Sequence, residues 1–150
     1  MNYTIEQILP HSGRAILVNE VISYNETFAV VAINISADTA FFQDGKGVPA
    51  HVGLEYMAQA CGTYAGIMSL NKGEPVKLGF LLGTRDYKCN KAWYVLAERL
   101  IVSAEQLFQT EDGMGSFFCK ITCNDIELAS AHLNVFQPND VTNFLEMGNK

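Results

Sequence analysis

Runs of alternating apolar and polar residues flank one long stretch that is apolar at nearly every position. The pattern predicts a short helix from Thr4 to Leu9, with Thr4 as N-cap and Pro10 as its stop. Two strand-like runs follow, Ala15 to Tyr24 and Phe28 to Ser36, joined by Asn25, Glu26 and Thr27 in a turn of hairpin length. After a loop from Asp38 to Val48 that holds Gly45 and Gly47, Pro49 suits the first position of a helix running to Leu70, about 30 Å long. Beyond Asn71 to Glu74 the β pattern returns at Val76 to Lys88, Tyr94 to Phe108, Ser116 to Cys123 and Ile126 to Phe136, with Asn124-Asp125 as the tightest turn. The segment from Gln137 to Lys150 carries no clear pattern.

Two strands, one long helix and four more strands make an α+β layout in which an antiparallel sheet covers the helix. A sheet wrapped around a single central helix is the hot-dog fold, and residues 1–150 read as one such domain. A helix lying on an open flat sheet would leave one side bare, and the composition of this helix argues against that. On a wheel, Leu54, Met57, Ala60, Cys61, Tyr64, Ala65, Ile67 and Met68 occupy most of the circumference, the mark of a buried helix. The exception is a narrow stripe of His51, Glu55, Gln59, Gly62 and Gly66, spaced by four and three. Glycine inside a helix costs roughly 1 kcal/mol relative to Ala, so Gly53, Gly62 and Gly66 need a tertiary reason. Gly62 and Gly66 extend the stripe as a groove fit either for a neighbouring backbone at a dimer interface or for a thin apolar ligand.

Apolar residues are 49% of the chain and charged ones 17%, a surplus that suggests surface covered by a partner subunit. The net charge of −6, with no basic stripe, argues against nucleic acid. No apolar run reaches the length of a membrane span and the first residues do not read as a signal peptide, so a soluble cytoplasmic protein without membrane attachment is expected. Of the four cysteines, none forms a C-x-x-C pair. Cys119 and Cys123 fall on one strand about 13 Å apart, beyond disulfide reach, and read as small buried hydrophobes.

Glu55 is the residue expected to carry chemistry, because a carboxylate on a helix without a broad solvent face has to face something specific. A His near the positive end of a helix is held neutral and fit to accept a proton, whereas a Glu in apolar surroundings stays protonated as a donor. His51 and Glu55 thus offer a base and an acid for removing a proton beside a carbonyl and protonating a departing hydroxyl. Backbone N–H groups around Val52 and Gly53 are placed to polarise the carbonyl oxygen. Metal ligation by His51 and Glu55 lacks a third ligand, and no metal or cofactor is expected. His132 reads as a residue on the outer or interface face of a strand, and His11 as part of a structural turn from Pro10 to Arg14.

The stretch Ile8 to Val21 (ILPHSGRAILVNEV), Phe41-Phe42, the E-x-M-A-Q motif at Glu55 to Gln59, and a G-T-R turn at Gly83 to Arg85 resemble the 3-hydroxyacyl-[acyl-carrier-protein] dehydratases of fatty acid synthesis. More closely, the chain resembles the predicted dehydratase subgroup associated with aryl polyene lipid pathways. The resemblance implies conversion of a 3-hydroxyacyl thioester to a trans-2-enoyl thioester without a cofactor. It also implies Glu55 as the catalytic carboxylate, a histidine before the helix as its partner, and a site formed across a dimer interface. The chain departs from the family at the histidine: the G-H-F-P-G loop is missing, the segment from Phe42 to the helix is shorter, and His51 stands one helical turn before Glu55. His51 is the only histidine there and takes the base role, with Gln59, Val52, Gly53, Gly62 and Gly66 lining the substrate site.

The implied partners are an acyl carrier protein or another acyl thioester, and a hot-dog oligomer, either a homodimer or larger assembly or a heteromer with a second dehydratase-like chain. A carrier protein is acidic, and Arg85, Lys88 and Lys91 are the densest positive stretch available to meet it. Two further readings are a thioesterase on the same fold, with Glu55 activating water or attacking the carbonyl, and a non-catalytic subunit that supports an active hot-dog partner.

Overall fold

The computed structural model describes residues 3–9, 16–77 and 79–138. Helix α1 (Ile5–Ile8) starts at Thr4, whose hydroxyl accepts the Gln7 N–H while the Gln7 side chain accepts the Thr4 N–H, a reciprocal capping box. Strands β1 (Glu20–Tyr24) and β2 (Phe28–Asn34) form the first hairpin. Asn25 closes its turn by accepting the N–H groups of Thr27 and Phe28. Strand β3 (Val48–Pro49) leads through a 3₁₀ turn (Ala50–Val52) into helix α2 (Gly53–Asn71). Strands β4 (Phe80–Cys89), β5 (Trp93–Tyr94), β6 (Arg99–Gln109), β7 (Met114–Cys123) and β8 (Ile126–Phe136) complete the fold.

Six strands form one antiparallel sheet in the order β1-β2-β6-β7-β8-β4, and β3 pairs separately with β5. The sheet packs its inward face on α2, where Tyr56, Met57, Ala60 and Ile67 meet Val31, Ile33, Val102 and Ile121, all fully buried. This is the hot-dog fold expected from the pattern. The β7–β8 turn at Asn124-Asp125 has positive φ at both residues (50° and 64°), as a two-residue hairpin turn requires. Cys119 and Cys123 share the inward face of β7, buried and free.

Four boundaries differ from the pattern reading, each for a local reason. Residues 16–19 make no ladder, because the Leu17 N–H bonds to the Gln59 side chain and only Asn19 reaches the Ala32 carbonyl. Pro49 does not open the helix: it sits in a ladder opposite Trp93, and α-helix begins at Gly53. The expected strand from Tyr94 to Phe108 is two strands, split where Ala97 takes φ 73° and the Glu98 carboxylate caps the Val95 N–H. Strand β4 begins at Phe80 instead of Val76, and the expected turn at Gly83 to Arg85 lies inside it. The turn expected at 10–14, including the Pro10 stop and His11, lies outside the described residues. No helix among the described residues is long and apolar enough to cross a membrane.

Candidate active site

Helix α2 is not wrapped on all sides. Within one chain Glu55 and His51 are exposed, and Leu54, Ala58, Gly62, Ala65 and Met68 are only half-buried, so the helix presents an open apolar side. A groove of about 1030 Å³ runs along this side. Glu55, Ala58, Gly62, Ala65 and Met68 line its helix wall, and Leu81, Gly115, Phe117 and Val135 line its sheet wall. From Glu55 to Ser69 the helix wall is about 21 Å long at 1.5 Å per residue. The far end is polar, with Gln106, Gln109 and Asn71. Tyr64 braces the β1–β2 turn there by donating to the Glu26 carbonyl at 2.6 Å, and its ring stands edge-on to Phe117 at 5.8 Å.

Glu55 thus stands at one end of an acyl-sized groove, on a regular helix that fixes its position. The apolar surroundings expected for it are not supplied by this chain, since its side chain is open to solvent. His51 lies on the 3₁₀ turn, four residues before Glu55, outside the groove lining; no ion pair joins the two. The turn is held at Ala50, whose N–H reaches the Ala92 carbonyl at 2.9 Å and whose carbonyl accepts the Tyr87 hydroxyl at 2.6 Å.

The remaining predicted site residues separate into four groups. Gln59 borders the groove, but its Oε1 is engaged by the Leu17 N–H at 2.8 Å. The Gly53 N–H already bonds to the Ala50 carbonyl, so it is not free to polarise a substrate. Val52 is buried beside it. Gly66 does not line a groove, because the carbonyl of Ile8 occupies the space a Cβ would need; Gly62 lies under Leu9 yet still borders the groove. Of the two occupants expected for these glycines, a neighbouring backbone or a thin ligand, Gly66 meets the backbone of the chain's own α1 and Gly62 the Leu9 side chain. Arg85 and Lys88 are exposed on β4, whereas Lys91 is committed to Glu98 at 2.9 Å.

Pattern reading missed the tyrosines behind the helix start. Tyr56 and Tyr94 are fully buried with ring centroids 6.1 Å apart, and the Tyr56 hydroxyl has no hydrogen-bond partner among the described residues. Burial pushes the Tyr56 and Tyr87 hydroxyls up to about 12, and Tyr94 further still. All three therefore stay neutral.

The fold has close counterparts. The chain is similar to one in the dehydratase heterocomplex ApeI:P from Xenorhabdus doucetiae, with a TM-score of 0.91 and 30% identity over 100% of both chains. A hypothetical thioesterase from Streptococcus pneumoniae, solved with coenzyme A, has a TM-score of 0.61 at 14% identity, covering 79% of this chain and 84% of that one, and shares the fold alone. In sequence, a segment of 92 residues is 35% identical to the 3-hydroxyacyl-[acyl-carrier-protein] dehydratase FabZ of Ruminiclostridium cellulolyticum. That match takes in 58% of this chain and 63% of the relative, under two thirds of its length. The ApeP-like family model, described as ApeP dehydratase, matches residues 3–146, and the chain belongs to that family.

Proposed function

We propose that this chain dehydrates a 3-hydroxyacyl thioester, carried on acyl carrier protein, to the trans-2-enoyl thioester in fatty-acid or polyene-type biosynthesis. The observation that carries the reading is Glu55 standing at the end of a groove that follows α2 for about 21 Å. The acyl chain lies along Ala58, Gly62 and Ala65, which brings its C2 and C3 to the helix start. His51 takes a proton from C2, the C3–O bond breaks as the C2=C3 bond forms, and Glu55 gives a proton to the departing hydroxyl, which leaves as water. General acid–base catalysis of this kind contributes about 10²- to 10⁴-fold for each group.

A second hot-dog chain completes the site. Glu55 as a protonated donor requires an environment drier than one chain provides, and the half-buried stripe of Leu54, Ala58, Ala65 and Met68 is surface that another subunit would cover. The similarity to a chain of a dehydratase heterocomplex favours a second, dehydratase-like chain over an identical copy. Arg85 and Lys88, exposed on β4, receive the acidic carrier protein.

The test is enoyl absorbance from a 3-hydroxyacyl carrier protein, with the chain alone and mixed with a second dehydratase-like chain. Folded Glu55→Gln protein is expected to lose at least about 10²-fold in kcat. A wild-type rate from that variant would remove Glu55 from the chemistry. Release of free thiol without enoyl absorbance would replace dehydration by thioester hydrolysis.

A further inference from the structure

Strand β4 does not alternate regularly. Thr84 faces inward opposite Leu133, and strict alternation from there would turn Asp86 in and Tyr87 out. Instead Asp86 adopts φ 58°, a conformation that Asp tolerates better than most residues, and adds one residue between the Arg85↔His132 and Lys88↔Ser130 pairs. The bulge absorbs Asp86 on the outside and leaves Tyr87 facing the start of α2.

There Tyr87 donates its hydroxyl to the Ala50 carbonyl at 2.6 Å, and the Tyr94 hydroxyl is packed close behind, beside the same point over Gly53. The same carbonyl accepts the Gly53 N–H, while the Ala50 N–H is held by Ala92. The turn that carries His51 is therefore fixed from three directions. Gly53 is part of the arrangement: a Cβ there would stand 2.5 Å from the Tyr94 hydroxyl oxygen and 2.8 Å from that of Tyr87. No side chain fits at residue 53 unless both hydroxyls withdraw.

We infer that Tyr87 is a positioning residue for His51. Its hydroxyl, backed by Tyr94, orients the Ala50–His51 peptide and so sets where the imidazole stands relative to Glu55. The inference rests on the reading of His51 as the proton acceptor. If this part-buried hydrogen bond served stability alone, its loss would lower the melting temperature and leave the turnover of folded enzyme untouched.

The test uses Tyr87→Phe, which removes one oxygen and keeps the ring, in the assembly that shows dehydration. Expected are a fall of about tenfold in kcat with KM within about twofold, and a displaced His51 imidazole resonance in protein with labelled histidine. His51→Ala at the wild-type rate would overturn the base assignment and this inference with it. An inactive His51→Ala beside a Tyr87→Phe of wild-type kcat and unmoved resonance would overturn this inference alone. If Tyr87→Phe fails to fold, Tyr94→Phe leaves Tyr87 in place; a smaller kcat loss with the same resonance displaced supports the positioning role, and no change in either overturns it.

Discussion

The carbonyl oxygen of Ile8 occupies the place where a Cβ on Gly66 would have to be, so α1 is seated on α2 at a point where only glycine fits. Gly62, one turn earlier, has only the Leu9 Cδ2 methyl at 3.3 Å from its would-be Cβ. Both positions gain roughly 1 kcal/mol of helix preference on change to Ala, but only Gly66→Ala must push backbone aside, at a cost of about 1–3 kcal/mol. Gly66→Ala is therefore expected to lose stability on balance, by up to about 2 kcal/mol, and Gly62→Ala to be neutral or slightly stabilised. Urea midpoints at constant slope measure both. Equal midpoints for the two variants would mean that α1 is not firmly seated.

Glu98 gives the fold an acid-sensitive joint. Its carboxylate accepts the Val95 N–H at 2.6 Å and Lys91 at 2.9 Å, closing the turn between β5 and β6. Burial alone would raise this carboxyl, but the bonds from Lys91 and Val95 outweigh it and hold it below its ordinary 4.5. A value lowered in the folded state means the stabilisation is complete above about pH 4.5 and is lost as pH falls through the lower, folded value. Glu98→Gln should flatten the acid limb of a melting-temperature profile taken from about pH 7 to about pH 3. A limb parallel to the wild type would assign that dependence to other carboxylates.

The cysteines should react in a set order. Cys61 and Cys119 lie with their sulfurs 3.6 Å apart in the core, and burial pushes the Cys61 thiol well above its ordinary value. Cys123 is also buried and is raised by burial and by Glu98, whereas Cys89 is half-buried on β4. Because the thiolate is the reacting form, iodoacetamide near neutral pH should label Cys89 first and the other three only on unfolding. Peptide mass mapping reads the order, and early labelling of Cys61 would show that the core opens along the groove.

The hairpins were legible because their marks are local: Asn124-Asp125 flanked by alternating residues admits few other readings. The reversal at Val95 to Glu98 was not, since Ala97 is no turn former and its positive φ is imposed by Glu98 and by the Ile35 carbonyl, which accepts its N–H. Glu55 stood out as a polar residue on an apolar helix, yet its exposure did not. Leu54, Ala58, Ala65 and Met68 read the same whether the cover is the chain's own sheet or another subunit. Gly66 was ambiguous for a similar reason, because a glycine needed for close contact and one left open for a ligand are one letter. Tyr87 was hidden by a bulge that shifts the alternation by one residue.

Strand β4 carries two residues, Leu82 and Asp86, that its neighbour β8 does not match. Removing Asp86 would leave Thr84, Tyr87 and Cys89 alternating inward as before, and removing Leu82 would leave Leu81 and Gly83 opposite Val135 and Asn134. Single-residue gaps at these two points are thus silent toward the helix and felt only along the outer margin of the sheet. In comparisons with relatives, a gap placed there preserves the interior frame, while one placed a residue later, at Tyr87, would delete the contact to Ala50.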